Sequence, residues 1–180
     1  MTEELKKESL RETFWDNAKR TLNGKFWKDR RTYNDLSEAT GIPEGSLRML
    51  FMNRPKSSIE KIVTVTNGLD KITKDKVSLA TLLSSENIDE KEHPEFSKEP
   101  EEVTKDFWRN IRNAIQISDS TSPSEAKRRM TKFIVSTGMS STNYKLNNQT
   151  GTVSLDTLEN FARRLEVEPY ELLAKSKGKR

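Results

Sequence analysis

The stretch Thr32–Asn53, TYNDLSEATGIPEGSLRMLFMN, organises everything around it. On a 3.6-residue period Leu36, Ala39 and Thr40 share one face of a short helix, and Leu47, Leu50 and Phe51 share one face of a second. Gly41-Ile42-Pro43 lies between them. Glycine accepts the positive φ at which a helix ends, and proline, which cannot extend a helix, suits the first turn of the next. Ile42 then plugs the corner. Two short helices joined by a tight glycine turn make a helix-turn-helix; a helical hairpin with no binding role has the same local pattern.

Composition sets the outer limits. The chain has 180 residues of which 32% are hydrophobic, low for one large core and better suited to two small helical units. There are no cysteines, so neither a disulfide framework nor a thiolate zinc site is available, and a reducing compartment is the natural setting. The opening residues are charged without an apolar run, and no stretch approaches a membrane span, so a cytoplasmic protein without a signal peptide is expected. The net charge of +4 is uneven: +3 over residues 1–87, −5 over 88–106 and +6 over 107–180. Two basic units separated by an acidic strip favour polyanion binding by the units and a solvated linker between them.

Outward from the turn, Leu5, Leu10, Phe14, Ala18 and Leu22 recur at helical spacing, which predicts one opening helix from Met1 to Leu22 stopped by Asn23-Gly24. Phe14, Trp15, Phe26 and Trp27 are expected to cover the core and not to stack on a ligand. Lys25, Lys28, Arg30 and Arg31 form a basic loop, and Thr32 with Asp35 reads as a capping box for the helix that follows. Beyond Asn53-Arg54-Pro55-Lys56, Ser57 with Glu60 reads as another capping box, opening a helix with Ile59, Ile62 and Val63 inside and ended by Asn67-Gly68. Leu69, Ile72, Val77, Leu79, Leu82 and Leu83 supply the remaining packing segments, giving about five helices in a first domain, 1–86.

Residues 87–104 are proline-containing, acidic and poor in apolar side chains, the composition of a linker that few buried contacts would cross. The single histidine, His93, lies here and is expected to be solvent-exposed, not a metal ligand. Then the sequence repeats. Phe14-Trp15-Asp16-Asn17 returns as Phe107-Trp108-Arg109-Asn110, and Thr40-Gly41-Ile42 returns as Thr137-Gly138-Met139. The second copy is longer between these points, and Ser122-Pro123-Ser124-Glu125 reads as a capping box with proline at the first helical position, starting a longer helix through Met130, Phe133 and Ile134. A second domain, 105–174, followed by a basic tail, 175–180, completes the division.

The spacing of Leu36, Ala39, Gly41, Ile42, Leu47 and Leu50 resembles that of the lambda-repressor and Cro type of helix-turn-helix transcription factor (XRE-like). The stretch Val153–Leu165 with Val167–Leu173 is similar to the closing helices of such domains. The resemblance implies an all-α protein of two divergent lambda-repressor-like domains of about five helices each, joined by the acidic linker. The second copy departs from the pattern: the inner positions of Leu47 and Leu50 become Tyr144 and Asn147 in a helix rich in Asn and Ser. Pairing with another chain or with a protein is therefore an option for that unit.

A recognition helix lies in the major groove with its N-terminal residues near base edges. The exposed set in the first unit is then Glu44, Gly45, Ser46, Arg48 and Met49, and the resemblance implies base contacts at Pro43, Glu44, Gly45 and Met49. Arg48 can donate two hydrogen bonds to guanine and Glu44 can accept from cytosine. The matching set in the second unit is Ser140, Ser141, Thr142, Asn143 and Lys145, all able to hydrogen-bond. Phosphate contacts are expected from Arg30, Arg31, Arg54, Lys56, Lys127, Arg128 and Arg129, with Thr32 at the start of the first helix.

No glycine-rich phosphate loop, zinc-ligand cluster, cysteine nucleophile or Gly-x-Ser-x-Gly elbow occurs, so neither an enzyme nor a cofactor is expected. The leading expectation is a sequence-specific regulator of bacterial or phage type that binds double-stranded DNA and occludes a promoter, as one chain or as a homodimer. The competing one is a helix-turn-helix scaffold that binds a protein partner, such as an anti-repressor or an inhibitor of another nucleic-acid-binding protein.

Overall fold

A computed structural model describes residues 9–24, 31–85, 94–140 and 153–175. Among them the protein is all-helical: eight α-helices and a closing 3-10 helix, with no strand beyond one isolated bridge. Helix α1 is Leu10–Asn23, α2 Tyr33–Thr40, α3 Glu44–Asn53, α4 Ile59–Ile72 and α5 Leu79–Leu83. In the second half α6 is Pro100–Ala114, α7 Pro123–Ser136 and α8 Leu155–Leu165, followed by the 3-10 helix Pro169–Leu173.

The local signals around the central turn behave as their chemistry requires. Thr32 caps α2 with Asp35 as its reciprocal partner, and Gly41 closes the helix at φ +72° with its N–H donating to Ser37 O at 2.8 Å. Leu36, Leu47 and Phe51 are buried, and Ile42 and Leu50 pack against the core from partly exposed positions. Each fully buried leucine stabilises by about 1.5–3 kcal/mol relative to an exposed one. Phe14 and Trp15 are fully buried, and an edge-to-face chain of rings runs from Phe14 through Trp15 and Phe51 to Tyr33 with centroid spacings of 5.0–5.3 Å. Phe26 and Trp27 lie outside the described residues.

Three helix boundaries differ from the expectation. Helix α1 starts at Leu10, not Met1, because Ser9 is extended and forms a full capping box with Glu12. Helix α4 is capped by Ser58, not Ser57: Ser58 accepts from Lys61 N–H, while Ser57 is buried and its carbonyl accepts from Leu155 N–H at 3.0 Å. Asn67-Gly68 does not end α4, which continues to Ile72. Gly68 is there because α2 crosses α4 at that point, and a β-carbon would sit 2.3 Å from Thr40 Cγ2.

The acidic segment is shorter than expected as a linker. Helix α6 begins at Pro100, and Val103 and Thr104 are buried, so the end of the expected linker is helical and contributes these two side chains to the core while Glu101 and Glu102 stay exposed. Residues 86–93, His93 among them, lie outside the described residues. Pro94–Ser97 packs against the other end of the chain, with Lys175 N–H donating to Glu95 O at 2.8 Å, and Asn67 Nδ2 donates to Lys98 O at 2.7 Å.

The two halves repeat each other in their contacts. Asn17 Nδ2 reaches the carbonyls of Thr81, Leu82 and Ser84 and so holds α5 against α1. Asn110 Nδ2 reaches those of Glu171, Leu172 and Ala174 and holds the 3-10 helix against α6 in the same way. One difference is large. Counted from the paired serines Ser58 and Ser154, Arg164 occupies the place of Gly68, and its Nε donates to Ser136 Oγ at 2.9 Å. The bulkier pair Phe133 and Phe161, centroids 5.0 Å apart, fills the space between α7 and α8, which stand further apart than α2 and α4.

The buried side chains form one continuous core running through both halves. Helix α4 packs on α6, α1 on α8, and α5 on the 3-10 helix. Thr104 Oγ1 donates to Glu60 Oε1 at 3.1 Å and Leu10 N–H to Glu159 Oε2 at 3.3 Å across the join. The expectation that few buried contacts would connect the halves is therefore not met.

Candidate nucleic-acid interface

The turn at Gly41 aims α3 so that its N-terminal half faces outward. Pro43, Gly45, Ser46, Arg48 and Met49 are exposed and Glu44 is half-buried, while Leu47 is fully buried on the opposite face. Pro43 occupies the N-cap without a side-chain hydrogen bond, so no capping side chain covers the first N–H groups of α3. Such an end attracts anions through its unpaired donors and the positive end of the helix dipole.

Arg48 is held against the protein. Its Nε donates to Glu44 Oε1 at 2.9 Å, and its guanidinium carbon lies 5.0 Å from the centroid of the Tyr33 ring. The pair is largely exposed, which limits it to a fraction of a kcal/mol up to about 1 kcal/mol. Beside it Met49 and Met52 expose 54% and 69% of their surface, a pair one helical turn apart that sequence periodicity marks as off the inner face. Met52 is the part of this surface that the readout set omits.

Most of the expected phosphate-binding cations have partners within the protein. Arg31 Nε donates to Ile72 O at 2.6 Å, Arg54 pairs with Asp16 of α1, and Lys56 Nζ lies 2.9 Å from Asp156 Oδ2 of the other half. Arg54 also stands in the left-handed region at φ +45°, where its N–H closes α3 on Leu50 O. Thr32 serves as the α2 cap, and its N–H and hydroxyl hold the Asp35 carboxyl below its usual range. Arg128 and Arg129 both clamp Glu125, Arg129 additionally donating to Gln116 O at 2.7 Å. Their hydrogen bonds, Arg128 first, take the Glu125 pKa down from 4.5 to about 2. The Glu125 carboxylate is thereby taken from the capping role expected of it, and Ser122 caps α7 alone.

On the outer face of α7, Lys127, Arg128 and Lys132 line a shallow groove with Ser124, Thr131 and Val135. Lys132 belongs with the expected pair Lys127 and Arg128 by its i+5 and i+4 spacing. In the second turn, Gly138 takes φ +79° as Gly41 does, and Ser140 is exposed. Arg30, Ser141, Thr142, Asn143 and Lys145 lie outside the described residues.

Among the described residues no cluster of histidine, aspartate and glutamate could hold a metal ion, and no helix is long and apolar enough to cross a membrane. No protein-family model matches the chain, and no curated protein or solved structure matches it either.

Proposed function

We infer that the protein is a helix-turn-helix DNA-binding regulator of the lambda-repressor type, built as two divergent copies, that enters the major groove with the N-terminal half of α3. One observation carries the reading: α2, the left-handed Gly41 and α3 bury Leu36 and Leu47 on one side and present Glu44, Gly45, Ser46, Arg48 and Met49 together on the other. In that pose the N-terminal residues of α3 lie near the base edges, and its uncapped N–H groups add the positive end of the helix dipole to the surface that enters the groove. Occupying a promoter site of a bacterial or phage gene in a reducing cytoplasm then blocks transcription.

A second reading rests on the same surface. Exposed Met49 and Met52, and an Arg48 already engaged by Glu44, also suit an apolar protein partner, methionine being adaptable at such contacts. A salt titration of binding to duplex DNA separates the two. Neutralising about six phosphates gives a log-log slope near −5, whereas absence of binding even at low salt selects the protein partner.

A further inference from the structure

The join between the halves is built from reciprocal contacts. Ile59 N–H donates to Val153 O at 2.7 Å, and Leu155 N–H donates to Ser57 O at 3.0 Å. Shifting either bond by 96 positions gives the other, so the three residues Ser57–Ile59 meet the three residues Val153–Leu155 as like meets like. Ser58 and Ser154 face each other across this antiparallel bridge. They cap equivalent helices, α4 and α8, with their hydroxyls accepting from Lys61 N–H and Thr157 N–H. The same symmetry returns further out, where α4 packs on α6 and α1 on α8, and where α5 meets its own counterpart, the 3-10 helix.

A surface on which residue i meets j and j meets i is isologous, the kind that joins two identical subunits about a two-fold axis. We propose that Ser57–Ile59 and Val153–Leu155 form a dimerisation surface closed within one chain, so that the partner of the first half is the second half of the same molecule. The peptide groups that would pair with another copy are already used, and Val153, Leu155 and Ile59 are fully buried beneath them. The working unit is then a single chain carrying both halves of a pseudo-dimer. Of the two forms expected, one chain or a homodimer, this selects the single chain, and it holds whether the target is DNA or protein.

The absence of cysteine makes a direct test clean. Ser58 and Ser154 form the non-hydrogen-bonded pair of the bridge, where α-carbons approach to about 4.5 Å, inside the range a disulfide requires. Three variants of the full chain are oxidised under dilute conditions: Ser58→Cys, Ser154→Cys, and the two together. The double variant is expected to form an intrachain disulfide at the mass of one chain, 20.8 kDa. Each single variant is expected to stay uncrosslinked, and light scattering of the unmodified protein to give that same mass across concentrations. Covalent dimers of Ser58→Cys alone, disulfides between chains in the double variant, or a double variant that stays reduced while its circular dichroism shows it folded would each overturn the proposal. Loss of fold in a variant is checked against the mass of the unmodified protein, where a dimer overturns and a monomer supports it.

Discussion

Thr40 lies against Gly68 so closely that a β-carbon on Gly68 would stand 2.3 Å from Thr40 Cγ2 and 2.9 Å from Leu36 Cδ1. Thr40 is β-branched, and its hydroxyl is fixed on Leu36 O at 2.7 Å, so it cannot swing aside without losing that bond. Gly68→Ala should therefore destabilise the protein: overpacking costs about 1–3 kcal/mol, against a helix-propensity gain of about 1 kcal/mol. Gly45→Ala in exposed α3 meets nothing within 4 Å and should stabilise by about 0.5–1 kcal/mol. Thermal melting checks the opposite signs, and adding Thr40→Ser should recover part of the first loss.

Gly41 is constrained by backbone conformation and not by space, since nothing lies within 4 Å of a β-carbon there while φ is +72°. Gly41→Val should cost on the order of 1–3 kcal/mol through the forced left-handed conformation, and Gly41→Asn less, because asparagine tolerates it. Denaturant midpoints of the two variants test the order. Equal losses would place the cost somewhere other than the turn.

Asn17 and Asn110 each satisfy three carbonyls at the ends of equivalent elements. Replacing either with alanine leaves part-buried acceptors unpaired and should cost about 1–3 kcal/mol. Because one core joins the halves, both losses should appear in a single cooperative transition. Two separate transitions, each moved by its own asparagine, would show that the halves unfold independently.

The pH dependence follows from Glu125. Its pKa falls from 4.5 to about 2 in the folded protein, so its pairing with Arg128 and Arg129 stabilises fully above pH 4.5 and is lost as the pH drops toward 2. Carboxyl carbon shifts should report a midpoint near 2 for this residue. Glu125→Gln should shift nothing in the core but release Arg128 from its ion pair, Arg129 keeping its bond to Gln116 O, and so make the salt dependence of DNA binding steeper.

How much of this was legible in the sequence depends on whether a signal is local. Thr32 with Asp35, Gly41, and Ser122 before Pro123 name their own conformations, because cap, turn and first helical residue lie within four positions of one another. Gly68 misleads, because an interior glycine that admits a neighbouring helix looks like a glycine that ends one. The join at Ser57–Ile59 has no side-chain signature, since it is made by peptide groups of residues 94 and 98 positions apart. Arg54 and Lys56 read as free cations because their acids, Asp16 and Asp156, are remote in sequence. Arg128 was different: Glu125 three residues earlier announces the pair.

The most direct test of the α3 surface is an amide NMR titration of the full chain with a duplex of about 30 base pairs at low salt, repeated with Arg48→Ala. Shifts are expected to concentrate at Glu44, Gly45, Ser46, Arg48 and Met49, with Arg48→Ala weakening binding by about 1–3 kcal/mol. Unchanged spectra at low salt, or shifts confined to other helices with full affinity retained by Arg48→Ala, would contradict that expectation.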